Sequence, residues 1–315
     1  MALLSELRYP TTRLAKVLSA LLALLLFAFV TISAVSGYLV YQALRPDRNA
    51  ASRNIDLMMG HPENFSFHTP DGAEREGWFF PGLRGAPAIV VCHGYLSQRT
   101  DALTLVTALQ DHQFNVFVFD FSGHGTSPTG TTLGYKETAE LHAAVQALSA
   151  RDDVDPKHFG LWGVDMGGYA ALEVASTDAR IAAIAVDDPY ADPRDMMHIQ
   201  VKQSGLGVLP LVYRFADFGF RMANYPDRND PPVTPRLVRM AAIPKLFVVS
   251  DDRPDLAKQA LNIFMVAAQP KQMFRDRVSY AGGYSVMPDD DRRNYETQVV
   301  AFFLQSIPPV TSASQ

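Results

Sequence analysis

The chain has 315 residues, of which 48% are hydrophobic and 19% are charged, and its formal net charge is −5. This length allows one large α/β domain with additional segments, and the composition is that of a folded protein. The negative charge and the lack of a basic stripe argue against a nucleic-acid partner. The single cysteine, Cys92, excludes an internal disulfide, and its place in an apolar run indicates packing.

The amino-terminal segment predicts a membrane helix. No charged residue occurs from Val17 to Leu44, and this stretch is longer than the roughly 20 residues needed to cross a bilayer. Tyr38 and Tyr41 near its end suit the interface between lipid and water. A cleaved signal peptide is the alternative, with residues 34–36 as a possible cleavage site. Because the apolar run continues past that site, we expect an uncleaved, single-pass anchor.

The charges that flank this segment do not fix its orientation. Three basic residues precede it and three follow it, namely Arg8, Arg13 and Lys16 against Arg45, Arg48 and Arg53. A short tail left inside, with the large domain translocated, is the default for a single amino-terminal anchor, so we expect an extracytoplasmic domain. The expected organisation is a tail over 1–16, the anchor over 17–44, a polar linker over 45–62, a folded domain over 63–307 and a tail over 308–315.

The rest of the chain alternates between strand and helix patterns. Apolar runs predict buried strands, and amphipathic runs predict helices. The predicted strands lie at 65–68, 77–80, 88–92, 115–119, 158–163, 181–186, 245–249 and 276–280, and the predicted helices at 103–109, 136–150, 169–175 and 295–305. This alternation predicts an α/β protein with a mostly parallel, doubly wound sheet.

Residues 192–240 interrupt the alternation. They contain helical pieces and a turn-rich stretch, and an insertion here would overhang the carboxyl ends of the strands, where ligands bind. We therefore expect a helical cap, with a plain surface excursion as the alternative. The apolar residues of this segment also suit contact with a membrane or a partner.

A strand, a sharp turn and a helix meet at Gly163-Val164-Asp165-Met166-Gly167. Glycines two residues on either side of a central position are typical of a nucleophile elbow, whose central residue sits in a strained turn. Most proteins with this pattern carry Ser at the centre. Here the central residue is Asp165, and this carboxylate changes which reactions are possible.

With His93-Gly94-Tyr95 after an apolar strand and Gly123-His124-Gly125 after the next, the elbow gives a pattern that resembles the α/β-hydrolase fold. The resemblance is to the serine-hydrolase branch of esterases, lipases and peptidase-like proteins, and it covers roughly residues 65–304. It implies an eight-stranded, mostly parallel sheet and hydrolysis of esters, amides or related bonds, without a cofactor or a metal.

The resemblance also implies roles for particular residues. His93 and Gly94 mark the oxyanion-hole loop, so the backbone N–H groups of Tyr95 and Met166 would be its two donors. His93 would brace its loop. The catalytic acid would be Asp252, with Asp251 as the alternative. The catalytic histidine is the decisive departure, because Tyr284 stands in its place.

These departures limit the chemistry. A tyrosine with an ordinary pKa near ~10 is a poor base at neutral pH, so Ser-His-Asp catalysis is excluded by residue identity. Haloalkane dehalogenases and epoxide hydrolases of this fold do attack through an Asp carboxylate, but hydrolysis of the resulting ester needs a histidine. His198 is one candidate for this base, with Asp187 and Asp188 nearby in sequence, and Tyr190 and Tyr213 are candidates for cap tyrosines.

The sequence therefore predicts a membrane-anchored pseudo-hydrolase with a binding or scaffolding role. Asp165 would occupy its own oxyanion hole, and a small molecule or a protein would bind at the old pocket or the cap. The alternative is an unconventional hydrolase with Asp165 as the nucleophile on esters, halides or epoxides.

Overall fold

The computed structural model describes residues 12–46, 62–125, 127, 129–227, 229–282 and 287–309. The chain divides into two compact units, one with residues 1–43 and 197–228 and the other with residues 44–196 and 229–315. Most of the expected linker, most of both expected tails and Tyr284 lie outside the described residues.

The larger unit contains all the strands of the described chain. They are β1 (Glu63–His68), β2 (Glu74–Phe80), β3 (Ala86–Cys92), β4 (Asn115–Phe119), β5 (Val154–Val164), β6 (Ile181–Asp187), β7 (Lys245–Ser250) and β8 (Lys271–Asp276). The helices, numbered along the whole chain, are α1 (Arg13–Leu44), α2 (Leu103–Asp111), α3 (Tyr135–Leu148), α4 (Asp165–Ala175), α5 (Pro193–Gln203), α6 (Pro210–Ala223), α7 (Thr234–Leu237), α8 (Pro254–Val266) and α9 (Asp289–Ser306).

The strands form one eight-stranded sheet in the order β1-β2-β4-β3-β5-β6-β7-β8. The pairs β1–β2 and β2–β4 are antiparallel, and all the others are parallel. This confirms the predicted mostly parallel sheet. Because β3, β5, β6 and β7 are parallel, their carboxyl ends meet at one edge, where such sheets bind ligands.

The core explains why the central strands read as apolar runs. Every residue of β3 is buried, because helices cover both faces of the sheet. Ile89 and Val91 of β3 belong to a cluster with Leu105 of α2 and Phe303 of α9. Helices α3 and α4 pack against each other, and α4 also packs on β5 and β6.

The predicted last strand at 276–280 is wrong. The strand that closes the sheet is β8, over Lys271–Asp276, and Tyr280 lies beyond it in a short 3₁₀ turn. Among the described residues β8 pairs with β7 alone and lies at the edge of the sheet. An edge strand keeps polar side chains, so β8 lacks the apolar run that identified the buried strands.

The smaller unit contains α1, α6 and most of α5. Helix α1 is 32 residues long and apolar enough to span a membrane, and none of its most apolar window is buried. Within this unit α1 contacts α6: the Ser36 hydroxyl donates to the Val212 carbonyl at 3.1 Å, and the rings of Phe29 and Phe215 lie 5.5 Å apart.

Candidate functional site

The elbow places Asp165 in a strained backbone conformation between β5 and α4. Its φ is 35°, in the left-handed region that residues with a side chain rarely adopt. A Cβ added at Gly163 would lie 2.4 Å from the Gly167 carbonyl oxygen, and one added at Gly167 would lie 2.3 Å from the Cys92 carbonyl oxygen. Both flanking positions therefore require glycine.

The carboxylate of Asp165 occupies the position between the two expected oxyanion-hole donors. Its Oδ1 accepts a hydrogen bond from the backbone N–H of Tyr95 at 2.7 Å and another from the backbone N–H of Met166. The side chain is completely buried. A Cβ at Gly94 would lie 2.9 Å from Oδ1, so glycine is needed for the loop to approach the carboxylate so closely.

The second carboxylate oxygen binds Arg253, which sequence reasoning did not identify as a site residue. Arg253 Nη2 donates to Asp165 Oδ2 at 2.8 Å, and the arginine side chain is 22% exposed. Burial alone would lower the pKa of Arg253, but the negative charges of Asp165, Asp187 and Asp188 raise it. The signal in the sequence was a basic residue directly after the acidic pair that follows β7.

The acid candidates after β7 lie at the surface. Asp251 and Asp252 are exposed, and Asp252 Oδ1 accepts a hydrogen bond from the backbone N–H of Ser279 at 2.9 Å. No hydrogen bond joins either carboxylate to Asp165 within the described part of the chain. Asp252 therefore anchors the loop after β8, where the Ser279 hydroxyl donates in turn to Asp187 at 3.2 Å.

Asp187 and Asp188, at the carboxyl end of β6, form a second acidic group at the same sheet edge. Asp187 Oδ2 accepts from the Tyr280 backbone N–H at 2.9 Å, and Asp188 Oδ1 accepts from the Ser250 backbone N–H at 3.1 Å. Burial raises the pKa of Asp187 well above its ordinary value, and burial also raises the pKa of Asp188 to about 6. These carboxyls therefore hold a proton more readily than free ones.

The two histidines close to the elbow have both ring nitrogens engaged. In His93, Nε2 accepts from the Phe121 backbone N–H at 3.0 Å and Nδ1 lies 2.8 Å from the Gly94 carbonyl oxygen. In His124, Nε2 accepts from the Leu96 backbone N–H at 3.3 Å and Nδ1 lies 3.0 Å from the Ser122 carbonyl oxygen.

These contacts and their burial keep both imidazoles neutral. Burial, the largest cause, lowers the pKa of His93 to about 4 and that of His124 to about 4. A neutral ring with one nitrogen donating and the other accepting holds its loop in place and has no free nitrogen with which to activate water. This geometry fits the bracing role expected of His93.

The other candidate side chains from the sequence form contacts with residues other than Asp165. His198 Nε2 lies 3.0 Å from Asp217 Oδ1, and its ring lies 4.3 Å from that of Tyr213 within the smaller unit. The Tyr190 hydroxyl donates to the Leu133 carbonyl, and its ring stacks on Tyr169. The described residues contain no cluster of three or more His, Cys, Asp or Glu side chains that could hold a metal ion.

Comparisons with known proteins agree with this architecture. A family model described as alpha/beta hydrolase fold matches residues 87–226. Uncharacterized protein Rv2307c of Mycobacterium tuberculosis is 29% identical over 192 residues, which cover 58% of this chain and 68% of that protein. Uncharacterized protein YfhR of Escherichia coli K12 is 25% identical over 258 residues, which cover 78% of this chain and 82% of that protein.

A solved structure of the Pyrococcus furiosus esterase Pf2001 superposes with a TM-score of 0.63 at 18% sequence identity. The superposition covers 84% of this chain and 98% of that protein. An identity this low supports the fold alone. Together with the sheet topology and the family model, it shows that the chain has the α/β-hydrolase fold.

Proposed function

We propose that this chain is a membrane-anchored pseudo-hydrolase that binds or scaffolds and does not sustain hydrolytic turnover. The observation that carries the proposal is the position of the Asp165 carboxylate. One of its oxygens takes both oxyanion-hole N–H groups, and the other is paired with Arg253. A substrate carbonyl would find those donors already occupied.

The state of the nearby histidines supports the same proposal. Turnover through an acyl or alkyl intermediate needs a base that activates water. His93 and His124 use both ring nitrogens to hold backbone groups, and Tyr284 stands in the sequence where the resemblance places the catalytic histidine. One structural relative is named an esterase. The same activity in this chain would lack a histidine that activates water.

The membrane attachment is part of the proposal, with the larger unit on the extracytoplasmic side. Helix α1 is long and apolar enough for a single-pass anchor. Ser36, within the possible signal-peptide cleavage site, is buried and bonded to α6, and Val40 and Ala43 beyond it are buried too. A helix that packs past the cleavage site favours an anchor that is retained.

Nitrophenyl ester hydrolysis by the purified full-length chain tests the lack of turnover. We expect no turnover above the background seen with the matched variant Asp165→Ala. The double variant Asp165→Ser with Tyr284→His restores a nucleophile and a base, and it frees the N–H groups of Tyr95 and Met166. We expect this variant to hydrolyse the ester. Wild-type turnover that Asp165→Ala abolishes would contradict the proposal.

A second candidate is a hydrolase in which Asp165 attacks halides or epoxides. One observation favours it: Oδ1 already sits between the N–H groups of Tyr95 and Met166, where the carbonyl oxygen of an ester intermediate would be held. Oδ2 would attack carbon and displace the halide or open the epoxide, after release from Arg253.

Intact-mass spectrometry after exposure to alkyl halides or epoxides separates the two candidates. A persistent adduct on Asp165, absent from Asp165→Ala, would indicate attack without turnover, because no base hydrolyses the ester. Multiple turnover of the halide or epoxide would support the second candidate. A chain that stays unmodified would support the first candidate, the pseudo-hydrolase.

A further inference from the structure

An apolar stripe runs along the exposed face of α6 in the smaller unit. It consists of Leu211, Phe218 and Met222, which are 53%, 64% and 47% exposed. The spacings of seven and four residues place these side chains on one face of the helix. Val208, in the turn before α6, is 83% exposed and adds to this apolar surface. Exposed apolar patches of this kind mark contact with a membrane or another protein.

The stripe lies next to the side of α6 that packs on α1. Val212 and Gly219 are about a quarter of a turn from it around the helix. Val212 accepts the hydrogen bond from Ser36, and a Cβ added at Gly219 would lie 3.4 Å from Val40. Helix α6 is therefore held against the carboxyl-terminal half of α1, with its apolar stripe beside the contact.

The position of this contact along α1 determines how deep the contact lies in the bilayer. A membrane span needs roughly 20 residues, so a span that begins at Val17 ends close to Ser36, the residue bonded to α6. Tyr38 and Tyr41, both more than half exposed, follow at the level where aromatic side chains meet lipid headgroups. Helix α6 thus crosses α1 near the end of the span, and its Phe215 contacts Phe29, about two helical turns deeper.

The basic residues of α6 suit the same depth, which is the headgroup region of the bilayer. Arg214 and Arg221 are exposed and flank the stripe on the side away from α1. A helix with an apolar face beside basic side chains settles in the headgroup region with its apolar face in the upper acyl chains. Arginines at this level bind lipid phosphates.

We propose that α6 lies in the lipid–water interface of the same bilayer that holds α1, with Leu211, Phe218 and Met222 in the acyl chains and Arg214 and Arg221 among the phosphates. This inference rests on the proposed membrane anchor. Continuity with α1, the tyrosines at the same level and the flanking arginines favour lipid over a protein as the occupant of the stripe.

Fluorescence quenching by brominated phospholipids tests the inference on the full-length chain in nanodiscs. Phe218→Trp reports on the stripe, and Tyr213→Trp is a matched aromatic control on another face of the same helix. Phe27→Trp reports on the anchor, where Phe27 is 70% exposed. The native Trp78 and Trp162 are buried, and their signal is subtracted with the wild-type chain.

We expect bromines near the headgroups to quench Phe218→Trp strongly, with bromines near the chain ends quenching it less. Phe27→Trp should show the reverse order, and Tyr213→Trp should be quenched least. Quenching of Phe27→Trp without that of Phe218→Trp would overturn the inference while the anchor stands. No quenching of either would overturn both.

Two further outcomes would also overturn the inference. Equal quenching of Phe218→Trp and Tyr213→Trp would mean that the stripe does not face the lipid. Quenching of Phe218→Trp that changes when nanodiscs with one chain are replaced by nanodiscs with two would assign the stripe to a second copy of the chain.

Discussion

Two pairs between an arginine and a buried carboxylate in the larger unit use the same chemistry in different ways. Arg75 on β2 donates to Glu140 on α3 through Nε at 3.1 Å and Nη2 at 2.9 Å, and the Ser122 backbone N–H satisfies the other carboxylate oxygen at 2.9 Å. Arg253 donates once to Asp165, which has a strained backbone and also accepts hydrogen bonds from the N–H groups of Tyr95 and Met166.

The difference lies in what surrounds each pair. Glu140 is fully buried and Arg75 is 9% exposed, so neither charge can reach water if its partner is lost. Arg253 is 22% exposed, and the Asp165 carboxylate keeps two backbone N–H donors when the arginine is lost. The first pair joins a strand to a helix, whereas the second closes a site. Four experiments test this contrast.

The largest effect is expected from Glu140→Ala. Removing one partner of a buried pair strands the other charge and costs about 3–5 kcal/mol of unfolding free energy. Asp165→Ala should cost less, because Arg253 can turn toward solvent. Denaturant unfolding in detergent, followed by the fluorescence of Trp78 and Trp162 in the sheet unit, measures both. Equal costs would erase the distinction between the two pairs.

The next effect comes from Gly94→Ala. The added Cβ would press on the Asp165 carboxylate, and overpacking of this kind typically costs about 1–3 kcal/mol. In an Asp165→Ala background the obstruction is gone, so the same substitution should cost less. A double-mutant cycle on unfolding free energies measures the coupling. A cycle that closes without coupling would mean that the carboxylate does not fill the hole.

The third effect is a pH dependence that comes from His93. Its pKa is lowered by burial from 6.5 to about 4, so between these values the unfolded chain binds a proton that the folded chain refuses. The His93 contribution to the unfolding free energy then falls as the pH drops through this window, by at most about 1.4 kcal/mol per pH unit for one proton. Above pH 6.5 this contribution to stability is fully present.

His93→Gln should reduce that slope without removing it, because burial lowers the pKa of His124 in the same direction. Unfolding free energies of both chains between pH 4 and 7 provide the measurement. Identical slopes would show that His93 titrates normally and does not brace the loop as a neutral ring.

The smallest effect is expected from Arg253→Met. It removes a charge-assisted hydrogen bond to the buried Asp165 carboxylate, but the N–H groups of Tyr95 and Met166 still bind that carboxylate, which limits the loss to about 1 kcal/mol. The matched control is Arg277→Met, which removes a 2.7 Å ion pair between an exposed arginine and Asp291 and should leave the stability unchanged within experimental error. An equal loss of unfolding free energy in the two variants would mean that Arg253 contributes no more to stability than an exposed arginine.

The elbow and the sheet were predictable because local sequence determines them. Glycines at 163 and 167 leave little alternative to a sharp turn, and buried parallel strands must be apolar on both faces. The edge strand β8 was misplaced, because a strand with one open edge carries no apolar run. Helix α8 was not predicted, although Pro254 at its first turn is a usual start signal.

The contacts of the site were harder to derive. That Asp165 would sit between the N–H groups of Tyr95 and Met166 followed from the motif, because the motif fixes where the loops meet. The pairing with Arg253 did not follow, since an arginine side chain on a loop can reach several positions and its partner depends on how β7 and β5 are spaced. Sequence order alone does not contain that distance.

The carboxylate at the elbow also acts as a competitor that is attached to the protein itself. Any acidic or carbonyl-bearing molecule that seeks the same two N–H groups must displace a group that never diffuses away. Molecules that engage Arg253 while Asp165 turns aside have an advantage over those that need the donors alone. Competition from this internal carboxylate would make ligand binding at the site selective even in the absence of catalysis.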